Sequence, residues 1–188
     1  MRERVKSAGL SGRYLVIHPG GGRNPGMILD AKRYPPDKLA RLGNQLQAHP
    51  PAPSPSLRLW RGGADLRSGG GEVVVIGAPS DQPLVDAVTS ALTVPHAAFT
   101  DLTFGQIAAL AADSALYIGN DTGMTHLAAA AGAKTVAIFG PTDPRRYAPF
   151  APDVLVLWRP AAVGSRGVAG GEPADWDWDR DGIGVDEV

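Results

Sequence analysis

Short apolar runs alternate along the chain with longer amphipathic stretches, and the period of each indicates the element it predicts. Tyr14-Leu15-Val16-Ile17-His18 is a run of β-favouring residues that stops at Pro19-Gly20-Gly21-Gly22, as a buried strand meeting a loop does. After Pro35-Pro36, which suit a helix N-terminus, Leu39, Leu42 and Leu46 recur at i, i+3 and i+7 and give one apolar face. Glu72-Val73-Val74-Val75-Ile76-Gly77 is a continuous run of parallel-strand type, followed by a helical pattern with Leu84, Val85, Val88 and Leu92 on one side. Phe104, Ile107, Ala108 and Ala111 repeat at helical spacing, and Ala115-Leu116-Tyr117-Ile118 reads as a strand. Residues 124–131 read as a helix of small residues, and Thr135-Val136-Ala137-Ile138-Phe139 as the next strand. Strands alternating with helices over short loops predict a doubly wound α/β fold, its sheet mostly parallel and covered on both faces.

Two stretches break the alternation. Residues 49–71 hold Pro50, Pro51, Pro53, Pro55 and two glycine clusters with few large apolar residues, the composition of an insertion without a core of its own. Trp60 between Arg58 and Arg61 leaves a docking role open there. From Ala161 the periodicity stops, and Trp176 and Trp178 sit among Asp175, Asp177, Asp179 and Asp181. Residues 161–188 thus read as an acidic tail and partial linker, or as a loop docked through its tryptophans. Its last residues, from Gly184 on, resemble the start of a helix. With 188 residues, 44% of them hydrophobic, the rest suffices for one sizeable core, placed at residues 1–160.

Charge adds a polarity that the net value of -1 hides: residues 1–70 carry 12 Lys/Arg against 4 Asp/Glu, and residues 161–188 carry 2 against 7. Such an excess suits an anionic ligand or surface. Its scatter, with aromatic residues at only 6%, argues against nucleic acid as the partner. The absence of cysteine excludes disulfides and thiolate metal sites. The opening residues lack the apolar run of a secretory signal, and no stretch approaches the roughly 18 apolar residues of a membrane span. A cytoplasmic location is the expectation.

In an open parallel sheet, ligands sit at the carboxyl ends of the strands, so the loops there are where chemistry is sought. The most informative is Gly119-Asn120-Asp121-Thr122-Gly123, where Asp121 or Thr122 can cap the following helix while Gly123 lets backbone amides close on an anion. One helix end supplies about 0.3–2 kcal/mol, whereas micromolar affinity needs about 8 kcal/mol. Cations must therefore share the binding, and Lys32, Arg23 and Arg33 are at hand in the sequence. The same composition also suits an ordinary strand-to-helix turn, and neither the dinucleotide fingerprint nor the GxxxxGK[ST] loop is present. His126 fits a ligand contact or a satisfied structural histidine. His18, at a strand end, is open to a structural role as well, and His49 and His96 belong to no constellation. Asp113 reads as a solvated helix end. No GxSxG elbow, HExxH helix or cysteine nucleophile occurs, and the aspartates of the tail lack the calcium-loop register.

The stretch from Gly119 to Ala130, Gly119-Asn120-Asp121-Thr122-Gly123-Met124-Thr125-His126-Leu127-Ala128-Ala129-Ala130, with Phe139-Gly140-Pro141-Thr142-Asp143-Pro144 after a short spacer, resembles the signature of glycosyltransferase family 9, the heptosyltransferases of lipopolysaccharide core synthesis. His18-Pro19-Gly20-Gly21-Gly22 and Lys32-Arg33-Tyr34-Pro35 are similar to that family's first loop and K-x-W-P segment, with Tyr34 where tryptophan is usual. The likeness runs over residues 14–157 apart from the insertion, and covers only the C-terminal, donor-binding half of a two-domain GT-B enzyme. It implies that the amides of Thr122, Gly123 and Met124 receive the donor diphosphate, that Lys32 neutralises it, and that Asp121 meets the donor sugar. It implies also that His126 supports the loop and that Asp81 binds the ribose. The reaction implied is inverting transfer of a sugar from a nucleoside diphosphate to an acceptor hydroxyl, without an essential metal or further cofactor and with ADP-heptose as the default donor. The general base is then a carboxylate of the absent N-terminal half. Expected with it are a separate N-terminal half or a homodimer through the exposed cleft face, an acceptor at a membrane surface, and a place peripheral to the inner membrane. A non-catalytic nucleotide-binding module, or another nucleotide-sugar enzyme such as an epimerase, are the alternatives.

Overall fold

The first strand, β1 (Tyr14–His18), occupies the middle of a sheet, with β4 (Glu72–Ile76) and then β5 (His96–Phe99) on one side. On its other side lie β6 (Leu116–Asn120), β7 (Thr135–Ile138) and β8 (Val154–Leu157), and every ladder is parallel. The computed structural model describes residues 1–10, 13–24, 27–48, 71–159 and 176–188. The insertion expected at 49–71 lies, except for Gly71, outside the described residues.

This strand order, β5-β4-β1-β6-β7-β8, reverses direction between β1 and β6, and a crevice opens at such a switch point because the loops leaving the two strands diverge. The doubly wound, all-parallel α/β fold follows from the apolar runs: strands buried on both faces need side chains of both parities to be apolar. Leu15, Ile17, Val73, Val75, Leu116 and Ile118 face one layer, with Leu39, Leu42 and Leu46 of α2 (Pro36–Ala48) and Val85 and Val88 of α3 (Gln82–Ala91). Tyr14, Val16, Val74, Ile76 and Tyr117 face the other. There they meet Val5 of α1 (Arg2–Ser7), Ile107 and Leu110 of α4 (Phe104–Asp113) and Ala128 of α5 (Gly123–Ala130). Thr103 and Gln106 cap α4 reciprocally: Gln106 N donates to Thr103 Oγ1 and Thr103 N to Gln106 Oε1.

Several elements carry too weak a pattern to be read beforehand. β5 is an edge strand of alternating exposure with no apolar run, and α1 buries Val5 alone. A four-residue helix, α6 (Pro144–Tyr147), starts where Asp143 caps the Arg145 amide at 2.9 Å. Arg23–Asn24 and Met27–Ile28 form a small antiparallel ladder, β2 with β3, in the loop after β1.

Residues 161–188 were open to two readings, an acidic tail and partial linker or a loop docked through its tryptophans. Of these, residues 176–188 are described, and there Ile183, Val185 and Val188 are buried in the core beside α2. Trp178 packs edge-on against Tyr34, ring centroids 5.2 Å apart, and the Tyr34 hydroxyl donates to the Ile183 carbonyl at 3.0 Å. Lys38 on α2 pairs with Asp179. Trp178, Ile183, Val185 and Val188 suffice to anchor residues 176–188, and Asp177, Asp179 and Asp186 stay exposed.

Candidate functional site at the switch point

β6 ends in Asn120, which is fully buried and joins three loops. Its Oδ1 accepts from the Tyr34 amide at 2.9 Å, and its Nδ2 donates to the carbonyls of Pro19 and Gly20, each at 3.1 Å. The loop after β1 is thereby held against the motif that opens α5. Thr125 strengthens the same turn, its hydroxyl donating to the Asn120 carbonyl at 2.6 Å. Thr122 is the N-cap of α5. Because the first amides of a helix have no carbonyl one turn back to bond, those of Gly123 and Met124 are available to a ligand.

Small residues allow the close approach. Gly21 has φ +118°, and a Cβ there would overlap the Thr122 side chain, so the β1 loop lies directly on the cap. At Gly20 a Cβ would stand 2.6 Å from Asp81 Oδ2 and 3.1 Å from His18 Nε2. The missing side chain leaves Asp81 and His18 facing one another across the loop. Asp81 Oδ2 also accepts from the Ala78 amide at 3.0 Å. His18 is buried and its Nδ1 has no hydrogen-bond partner among the described residues. Burial pushes its pKa down to about 4, against the opposing pull of the Asp81 charge, so the imidazole is neutral at ordinary pH.

These loops border a cleft of about 530 Å³ lined by His18, Gly21, Asp81, Phe104, Thr122, Gly123 and Met124 among others, within the size range of small-molecule sites. Phe104, the first residue of α4, is 69% exposed at its edge. Beside the cleft, Lys32 Nζ pairs with Asp121 Oδ2 at 2.7 Å, with side chains 10% and 7% exposed. Lys32 also lies 5.6 Å from the centroid of the Tyr147 ring.

Of the residues singled out beforehand, Lys32, Asp121, Thr122, Gly123 and Met124 converge on one loop cluster, and Asp81 lies across the cleft from them. His126, one turn into α5, is exposed and bonds through Nε2 to the Tyr147 carbonyl at 3.1 Å. Arg33 braces the β1 loop, its Nε donating to the Gly21 carbonyl at 2.7 Å while its guanidinium pairs with Asp30. Asp113 pairs with Arg2 at 2.8 Å, as a helix end at the surface. Sequence reasoning gave no role to Asn120 or Tyr147. The polar residue inside the Gly119–Gly123 motif was the one available signal for Asn120, and Tyr147 carried none.

Residues 64–165 match the sequence model of glycosyltransferase family 9 (heptosyltransferase), just over half of the 188-residue chain. No curated protein matches the sequence. Among solved structures, the fold is similar to a family 9 glycosyl transferase from Veillonella parvula, with TM-score 0.63 and 23% identity over 85% of this chain and 39% of that one. It is similar also to E. coli ADP-heptose lipopolysaccharide heptosyltransferase II, with TM-score 0.62 and 23% identity over 82% of this chain and 41% of that one. E. coli heptosyltransferase WaaC with ADP gives TM-score 0.56 and 20% identity over 77% and 37%. The chain thus spans about two fifths of these proteins, and its sheet corresponds to one half of a GT-B architecture. It belongs to glycosyltransferase family 9, the heptosyltransferase family.

Proposed function

We propose that the chain binds the nucleoside diphosphate of a nucleotide-sugar and serves as the donor half of a glycosyltransferase that passes the sugar to an acceptor hydroxyl. The observation that carries this reading is the cleft at the β1/β6 switch point, walled by the N-terminus of α5 and flanked by the buried Lys32–Asp121 pair. In the transfer, a bond forms from the acceptor oxygen to the anomeric carbon as the bond to the diphosphate breaks. The electron pair leaves with the phosphate, and the acceptor proton passes to a base. Negative charge grows on the leaving diphosphate, where fixed amides and an ammonium group stabilise it without having to reorganise as water must. On this reading Asp121 accepts hydrogen bonds from sugar hydroxyls, and Asp81 from the ribose. The base is assigned to a carboxylate of a second half, ADP-heptose is the default donor, and the product belongs to lipopolysaccharide or another cell-envelope glycan. No helix among the described residues is long and apolar enough to cross a membrane.

The test is calorimetric titration with ADP, GDP and UDP of the parent chain and of a Lys32→Ala, Asp121→Ala double variant. Removing both partners avoids leaving one buried charge alone, a defect worth about 3–5 kcal/mol that would confuse binding with unfolding. Saturable binding of one nucleotide, lost in the double variant, is expected; no binding of any of them would overturn the assignment. A second reading is a nucleotide-binding module without transfer. Turnover restored by adding a purified N-terminal half would exclude it.

A further inference from the structure

We propose that Tyr147 forms the wall of the subsite that holds the transferred sugar, an assignment that rests on the donor-site reading above. The cleft lies on the β4 and β5 side of the α5 N-terminus, lined by the loops of residues 77–81 and 100–102 together with Thr122, Gly123 and Met124. Lys32, Asp121 and Tyr147 are not part of that lining; they form a cluster of their own at the residue before Thr122, Lys32 pairing with Asp121 at 2.7 Å and lying 5.6 Å from the centroid of the Tyr147 ring. A diphosphate seated on the Gly123 and Met124 amides therefore has different surroundings at its two ends. One end enters a cleft roomy enough for a nucleoside, and the other emerges over the Lys32–Asp121 pair with the ring of Tyr147 beside it.

The backbone that carries the ring is tied down at two points. His126 Nε2 bonds to the Tyr147 carbonyl at 3.1 Å, and Asp143 fixes the start of α6 by accepting from the Arg145 amide at 2.9 Å. The side chain itself stays 41% exposed, with the Lys32 ammonium 5.6 Å from the ring centroid, so part of its apolar plane is open. A pyranose offers C–H faces and a rim of hydroxyls. An aromatic plane adjoining a carboxylate and an ammonium group complements both, the plane by packing and the charged groups by hydrogen bonding. The bare diphosphate makes no use of the plane, so the ring distinguishes donor from by-product.

The experiment compares the parent with Tyr147→Ala and Tyr147→Phe by calorimetry against three pairs: ADP and ADP-heptose, GDP and GDP-mannose, UDP and UDP-glucose. For the base that binds, the parent is expected to prefer the sugar conjugate about tenfold over the bare diphosphate. Tyr147→Ala should keep its affinity for the bare diphosphate within about twofold and lose the preference, while Tyr147→Phe retains it. A parent without preference, an alanine variant that keeps the preference, or one that weakens both ligands equally would each overturn the assignment while leaving the donor site standing. Silence of the parent toward all six compounds would overturn both.

Discussion

Truncating Asn120 to alanine tests whether a single buried amide organises the site. The change strands three backbone groups at once: the Tyr34 amide loses its acceptor at 2.9 Å, and the carbonyls of Pro19 and Gly20 lose donors at 3.1 Å. Asn120 is fully buried, so water does not replace it without the loops moving. Each unsatisfied group costs about 1–3 kcal/mol; with partial relaxation of the β1 loop the sum is about 4 kcal/mol, a large part of the roughly 5–15 kcal/mol that holds a domain together. For a chain of this length that corresponds to a fall in melting temperature of about 10 °C. Thermal unfolding followed by far-ultraviolet circular dichroism, with urea titration alongside, measures it. Asn120→Asp gives a sharper comparison: it keeps the shape but turns a carboxylate oxygen toward two carbonyls, and it should lose at least as much stability as alanine. A melting temperature within about 3 °C of the parent for the alanine variant, or an aspartate variant more stable than it, would refute the clamp.

Two further outcomes follow from the same structure. Trp178→Ala removes the ring that packs on Tyr34 at 5.2 Å and joins residues 176–188 to the core; it should cost about 2–4 kcal/mol in urea unfolding, whereas a cost under about 0.5 kcal/mol would mean that the segment is not integral to the fold. His18 has a pKa of about 4 in the folded chain against about 6.5 unfolded, so the unfolded state binds the extra proton between these values. The stability His18 contributes is full above about pH 6.5 and is lost as pH falls toward 4, by up to about 1.4 kcal/mol per pH unit. Between pH 6.5 and 5, before the carboxylates titrate, His18→Gln should show a visibly flatter stability curve, and identical slopes would sink the account.

The central strands and their helices were legible because burial on both faces forces continuous apolar runs, as in Val73 to Ile76 and Leu15 to Ile17. The edge strand His96–Phe99 was not, since an edge with one open side needs no such run. The site divided in a similar way. Thr122, Gly123 and Asp121 are contiguous and obey helix-capping rules that a sequence displays. Lys32 comes from a turn 89 positions earlier, at Asp30–Lys32, and it reaches Asp121 only because β1 and β6 are neighbours in the sheet. That adjacency is a property of strand order, which periodicity does not encode, and the family resemblance supplied what spacing could not. Of the tail docking, the tryptophans among the aspartates gave the one signal; Ile183, Val185 and Val188 have no helical or strand period, and their burial depends on the groove left beside α2.

On the donor-site reading proposed above, the Lys32–Asp121 pair governs how the diphosphate is held. A carboxylate 7% exposed beside a phosphate site repels its ligand, and Lys32 at 2.7 Å cancels that repulsion without leaving a net positive charge. Arg33 adds little, being spent on Asp30 and the Gly21 carbonyl. The α5 amides supply only about 0.3–2 kcal/mol from one helix end, so on that reading Lys32, drawn toward the phosphates, supplies much of the rest, which is why the double variant is expected to lose the nucleotide. A donor that also presents sugar hydroxyls would give Asp121 hydrogen-bond donors of its own in exchange for the ammonium contact it gives up as Lys32 turns toward the phosphates. That exchange leaves the pair near balance, so the preference for donor over bare diphosphate falls to the Tyr147 ring.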